Sequence, residues 1–162
     1  MACDQSGTSI YTERLDVYKN TSYTYYENQY SDSACSTGYK TIRYTYTMAV
    51  GSDATMADES TTATKITLTS VGVYVTAKTD TLVATMNSAS LCSATDWTKD
   101  VEKDVSSKST EDTCLDEDDA MGTVYKAVMK VVGTDLWSGV GTSAKDSEGY
   151  ATEIKDTGYD KQ

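Results

Sequence analysis

The chain has 162 residues, 14 of them basic and 25 acidic, for a formal net charge of −11. A surface this acidic repels phosphate backbones and anionic lipid heads, which argues against nucleic-acid and peripheral membrane partners. Pro, Phe and His are absent, so histidine-based triads and the commonest metal ligand are excluded. Much of the apolar content is Tyr and Val interleaved with Thr and Ser, a texture suited to pleated, half-buried strands.

Ser9 to Lys19 alternates, with Ile10, Thr12, Arg14, Asp16 and Tyr18 on one parity and Tyr11, Glu13, Leu15 and Val17 on the other, and predicts a strand. Asn20-Thr21 turns it into a Tyr-rich strand, Ser22 to Tyr30. Turn chemistry surrounds Cys35, in Ser31-Asp32-Ser33 and Ser36-Thr37-Gly38. Tyr39 to Val50 is the clearest strand, with Ile42, Tyr44, Tyr46 and Met48 on one face and Thr41, Arg43, Thr45 and Thr47 on the other. The polar stretch 51–62 reads as a loop. Lys65 to Thr69 and Val71 to Val75 continue the sheet, with Gly72 as a bulge or close-approach point. Lys78-Thr79-Asp80 reads as a turn into a strand at Leu82–Met86. Asn87 to Trp97 reads as a loop with a short strand, and Lys99 to Glu117 as loop or one helical turn. Gly122 to Val132 returns to sheet, Gly133-Thr134 turns into Asp135–Ser138, and an irregular tail follows from about residue 139. Strands spaced 8–12 residues apart predict an all-β fold. The expected architecture is one domain over residues 1–162, an antiparallel meander closing into a barrel or sandwich of about eight strands.

Cys3, Cys35, Cys92 and Cys114 form an even set without any C-x-x-C spacing, and no His could complete a mixed zinc site. Two disulfides are expected, Cys3–Cys35 and Cys92–Cys114, each closing a local loop. Disulfides imply an oxidising compartment: secreted, periplasmic or cell-surface. No apolar leader follows Met1, so export implies a signal already removed. The longest apolar runs, such as Val71 to Val75, fall far short of the ~20 residues of a membrane helix. Asn20-Thr21-Ser22 matches the N-glycosylation sequon. Met1-Ala2-Cys3 faintly matches the end of a lipidation signal, which a paired Cys3 would rule out.

No acidic pair is framed by a catalytic motif, so a carboxylate hydrolase ranks last among the functional readings. Asp116, Glu117, Asp118 and Asp119 offer oxygens that calcium accepts, but outside the EF-hand register; no other cofactor is implied. Gly139-Val140-Gly141 lacks the third glycine of a dinucleotide loop and reads as a turn. The leading reading is a non-catalytic binding module with an apolar cavity for a small ligand. Its lining would be Ile42, Tyr44, Tyr46 and Met48 with Ile66, Leu68, Val71, Val73 and Val75. The alternative is a structural or adhesive protein that self-associates through strand edges.

Tyr30-Ser31-Asp32-Ser33-Ala34-Cys35, Leu91-Cys92-Ser93-Ala94-Thr95-Asp96-Trp97 and Gly122-Thr123-Val124-Tyr125-Lys126 together resemble small uncharacterised bacterial secreted β-domains. Those domains carry Y-S-D-S-A-C, L-C-G-x-x-D-W and G-T-x-Y-x-x-x-K segments. The first segment is also similar to the extracellular domain of the adenomatosis-polyposis-coli down-regulated Wnt inhibitors, an antiparallel barrel-like fold implicated in binding lipid-modified ligands. The chain departs from the pattern at Ser93, where Gly is expected, and at Met1-Ala2, where a Trp-containing lead-in is expected. The resemblance implies a fold class and a compartment, and leaves the activity open.

Overall fold

The structure is a computed structural model that describes residues 3–6, 9–58, 60–111, 114–115, 120–133 and 135–160. Its strands are β1 (Asp4–Ser6), β2 (Ile10–Lys19), β3 (Ser22–Tyr30), β4 (Gly38–Thr55), β5 (Thr62–Ala77), β6 (Glu102–Asp104), β7 (Val124–Val132), β8 (Asp135–Gly139) and β9 (Ile154–Asp160). One helix, α1 (Asp80–Ala89), and a 3₁₀ turn at Leu91–Ser93 lie between β5 and β6. Hydrogen-bonded neighbours run in the order β1-β2-β3-β4-β5-β7-β8-β9, with β6 also on β5. The pairings whose register is described are antiparallel. The all-β class and both expected disulfides, Cys3–Cys35 and Cys92–Cys114, are therefore what the chain forms. Cys3 is paired, which rules out a lipidated Cys3.

Three local expectations are corrected. Leu82–Met86 is helical, because Thr79 is an N-cap whose side chain accepts from the Leu82 amide (3.1 Å), and Asp80 lies in the first turn. Leu82 and Met86, four apart, then bury one side of that helix. The polar 51–62 stretch is strand in its first part: β4 runs on to Thr55, and Thr64 Oγ1 on β5 donates to Asp53 (2.8 Å). The turn is confined to the residues after Thr55, closed by Asp58 accepting from the Ser60 and Thr61 amides. The tail is not irregular throughout, since β9 pairs with β8 from Gly139↔Ile154 to Asp135↔Asp160.

Contacts divide the chain into two compact units, residues 1–46 with 70–123, and residues 47–69 with 124–162. β4 and β5 contribute to both. The first unit has the larger core: Ile42, Val73, Val75 and Ala77 from the sheet meet Leu82 and Met86 from α1, and Cys92, Trp97, Val105, Cys114 and Leu115 from the segments that follow. Gly72 is a close-approach point, because a Cβ there would lie 2.7 Å from Thr45 Oγ1 and from the Tyr74 ring. That ring carries the Arg43 guanidinium 3.9 Å above its centroid, and Arg43 is paired with Glu102.

The second unit packs Met56, Ala63, Val128 and Ala151. Its 140–153 segment is pinned by Lys65, which pairs with Asp146 (2.8 Å) and Glu148 beside the Tyr150 ring. The Tyr150 hydroxyl lies 2.8 Å from Thr67 Oγ1. Gly139 is needed where β8 passes Ala151, whose Cβ would sit 2.9 Å from an added Cβ.

Candidate functional site

Alternation along β2 and β3 places Arg14, Asp16 and Tyr18 on one face with Tyr23, Tyr25 and Glu27, through the register Tyr18↔Tyr23, Asp16↔Tyr25 and Arg14↔Glu27. β4 continues this face with Tyr44 and Tyr46, on the same parity as the core residue Ile42. The aromatic rings form two rows across the three strands. In one, Tyr23 stacks between Tyr18 (4.7 Å between centroids) and Tyr46 (5.2 Å). In the other, Tyr25 stacks on Tyr44 (5.1 Å), and the Arg14 guanidinium carbon lies 4.4 Å from the Tyr25 centroid. Such pairs add roughly 0.5–1.5 kcal/mol each beyond their buried area.

The rows are tied together by an ion pair. Arg14 donates to both oxygens of Asp16 (2.8 and 2.9 Å) and to the Tyr23 hydroxyl (3.0 Å), which itself donates to Asp16. The Asp16 side chain is 8% exposed and that of Arg14 is 47% exposed. Burial, then the bond to Asp16, raises the proton affinity of the Tyr23 phenol. Burial, then Glu27, pushes Tyr25 up to about 12. Both phenols are thus neutral donors at any physiological pH. Because the first-unit core includes no residue of β2 or β3 among those described, the sheet face has two halves. One lies under α1 and the disulfide-closed segment, and the other is a tyrosine-lined ledge.

The residues expected to line a cavity are divided. Ile42, Val73 and Val75 lie in the first-unit core, packed with Leu82, Met86, Trp97 and Leu115, and Tyr44 packs against that cluster. Tyr46 belongs to the ring rows. Met48, Ile66 and Leu68 fall in the second unit. β5 is continuous from Thr62 to Ala77, so Ile66 and Leu68 stand on the opposite parity from Val73 and Val75. Val71 is 49% exposed. Asp116, Glu117, Asp118 and Asp119 lie outside the described residues. Among the described residues no three His, Cys, Asp or Glu side chains gather as a metal group, and no helix is long and apolar enough to cross a membrane.

The three motif segments hold architecture. Asp32 accepts from the amides of Ala34 (3.0 Å), Ser36 (3.3 Å) and Thr37 (2.6 Å), shaping the turn that carries Cys35. In the second segment Trp97 is buried, and its Nε1 donates to the Leu91 carbonyl (3.2 Å). Asn87 clamps the Trp97 backbone, accepting from its amide (2.7 Å) and donating to its carbonyl (3.1 Å). Ser93, where the resembling pattern has Gly, adopts φ +58°, a region that costs a side-chain-bearing residue roughly 1–2 kcal/mol. In the third segment Gly122 (φ +88°) turns the chain, its amide donating to the Ser70 carbonyl (2.8 Å). No protein-family model and no curated protein matches this chain.

The Asp32 turn is acid-sensitive. The Thr37 amide first, with Ser36 and the Thr37 hydroxyl adding, holds the carboxyl at about 2, below the ~3.9 of a free Asp. A folded value below the unfolded one means the turn is fully stabilised above about pH 4, and loses that stabilisation as pH falls through about 2. Amide exchange at Ala34, Ser36 and Thr37, corrected for intrinsic rates, should lose protection between about pH 5 and pH 2. Unchanged protection at the lower pH would refute the assignment.

The tyrosine ledge could have been anticipated only in part. The parity of Arg14, Asp16 and Tyr18 was legible, but the cross-strand register that stacks Tyr23 and Tyr25 on β4 was not.

Proposed function

We propose that this chain is a non-catalytic module of an exported β-protein and recognises a protein partner through the tyrosine ledge of β2, β3 and β4. The observation that carries this reading is the pair of ring rows braced by Arg14 and Asp16. Tyr23 and Tyr25 already have both ring faces engaged, so they offer fixed edges and hydroxyls and leave little room for a flat ligand to slide between them. Tyr and Arg are enriched at protein interfaces, and rotamers already locked by stacking lose little entropy on binding. The two disulfides support an oxidising compartment. The apolar-cavity reading loses support because Ile42, Val73 and Val75 already have Leu82, Met86 and Trp97 as packing partners.

A hydrolytic role also has little support. A general acid needs a raised proton affinity, whereas Asp32, Asp58, Asp96, Glu102, Glu111 and Asp146 are all displaced downward by donors that hold them ionised.

Native mass spectrometry of protein purified from its source, followed by hydrogen-exchange mapping of whatever binds, tests the proposal. A bound protein should protect β2–β4. Arg14→Ala and Tyr18→Ala should each weaken binding by roughly tenfold or more, as truncated interface anchors do. A co-purified small apolar molecule, or a footprint confined to α1 or β7–β9, would overturn it.

A further inference from the structure

The chain has three asparagines, Asn20, Asn28 and Asn87. Two of them hold the fold. Asn28 on β3 accepts from the Thr41 hydroxyl on β4 (3.1 Å), and Asn87 clamps the Trp97 backbone. Asn20 does neither. It lies with Thr21 in the two-residue turn that the Lys19↔Ser22 pair closes, and both turn residues are exposed. Asn is common in turns because it tolerates a positive φ or hydrogen-bonds its own backbone. Asn20 is not among the residues with positive φ, and among the described residues its carboxamide has no hydrogen-bond partner. The turn makes no use of that side chain.

Asn20-Thr21-Ser22 is an acceptor triplet for N-linked sugar, with a middle residue other than Pro and a hydroxyl in third place. Asn28-Gln29-Tyr30 and Asn87-Ser88-Ala89 lack that hydroxyl. The acceptor triplet thus coincides with the asparagine that the fold leaves unused. Its place at a hairpin tip also lets a bulky polar group attach without displacing packed side chains. The lumen in which exported proteins form disulfides is the compartment in which N-linked sugars are added.

We propose that Asn20 carries an N-linked glycan. This rests on the export half of the reading above. The donor is an oligosaccharide joined through a diphosphate to a polyprenol, and the catalyst is an oligosaccharyl transferase of the secretory pathway. The Asn20 carboxamide nitrogen attacks the anomeric carbon of the first sugar. A C–N bond replaces the C–O bond to the diphosphate, which leaves on the polyprenol, and the amide gives up one proton. The glycan is rooted two residues beyond Tyr18 and six beyond Arg14, roughly 20 Å along an extended strand. It therefore bounds the tyrosine ledge at its Tyr18 end, well away from the Arg14–Asp16 pair.

Peptide mapping of the chain purified from its source, before and after peptide-N-glycosidase treatment, tests the proposal. The enzyme should remove a glycan mass and convert Asn20 to Asp, leaving Asn28 and Asn87 unchanged. Disulfide mapping of the same sample keeps the two readings apart. Bridged cysteines with an unmodified Asn20 would overturn the glycan and leave export standing, whereas four free thiols would overturn both. Dependence on the triplet is read in a eukaryotic secretory host. Ser22→Ala, which keeps Asn20 in place, should abolish the modification, and Ser22→Thr should retain it. A far-ultraviolet spectrum matching the parent chain is required of both variants. Modification that survives Ser22→Ala, or a parent chain secreted from that host without sugar, would refute the assignment.

Discussion

Trp97→Ala should cost about 3–5 kcal/mol, the range for deleting a large buried aromatic. Trp97 is 3% exposed and packs in the first-unit core with Leu82, Met86, Cys92 and Leu115. Removing it deletes apolar volume and leaves the Leu91 carbonyl without the indole donor. A domain of this size has a total stability of roughly 5–15 kcal/mol, so the loss should lower the thermal midpoint by roughly 6–20 °C. Trp97→Phe separates the two contributions. It keeps most of the packing and loses the donor, and should cost about 1–2 kcal/mol plus some packing loss. The chain has two tryptophans, so Trp137 remains as a fluorescence reporter in both variants, and urea midpoints read the difference. A loss below about 1 kcal/mol for the alanine variant would mean that Trp97 is not the centre of that core.

Removing the Cys92–Cys114 disulfide should cost more than removing Cys3–Cys35, although loop length alone says the reverse. The sequence separations are 22 and 32 residues. The chain-entropy model assigns them roughly 3.4 and 3.7 kcal/mol, a difference of only about 0.3. Packing then decides the order. Cys92 and Cys114 are 4% and 9% exposed within the core, so replacing both by Ala also deletes two buried sulfurs, at roughly 0.8 kcal/mol for each methylene-sized group. Cys3 and Cys35 are only half-buried. The Cys92→Ala/Cys114→Ala variant is expected to lose about 4–5 kcal/mol, and the Cys3→Ala/Cys35→Ala variant about 3–4 kcal/mol. Denaturant unfolding of the two double variants reads the order directly. A reversed order would show that unfolded-state entropy outweighs the packing of the buried bridge.

The same contrast runs through the site. That Arg14, Asp16 and Tyr18 share a face follows from side chains alternating along any strand. Which tyrosines they meet depends on strand register and on the order of strands in the sheet, and neither is encoded in one strand's own pattern. The set Ile42, Tyr44, Tyr46, Met48, Ile66, Leu68, Val71, Val73 and Val75 was assembled by parity along β4 and along β5, with Gly72 assumed to absorb a change of face. β5 instead runs through Gly72 without a break, the glycine serving as the place where the Tyr74 ring and Thr45 approach the backbone. Ile66 and Leu68 consequently separate from Val73 and Val75.

Sequence alone determined what depends on local chemistry. The alternation of β2, β4 and β7, the Asn20-Thr21 turn, and the pairing of cysteines into two local loops all rest on interactions between residues near in the chain. The helix at Asp80–Ala89 was also written locally, in the Thr79 cap and the Leu82–Met86 spacing, but ten residues that include two Thr, Val83, Asn87 and Ser88 carry too weak a preference to outweigh a strand-like neighbourhood. Only the tertiary structure decided which apolar face is covered. α1 and the Cys92–Cys114 segment take their place over Ile42, Val73 and Val75 because the chain must bury Leu82, Met86 and Trp97 somewhere. The strands β2 and β3 contribute nothing to that core, and their tyrosines stack on one another and on β4, leaving ring edges and the Arg14 guanidinium as the exposed chemistry of that half of the sheet.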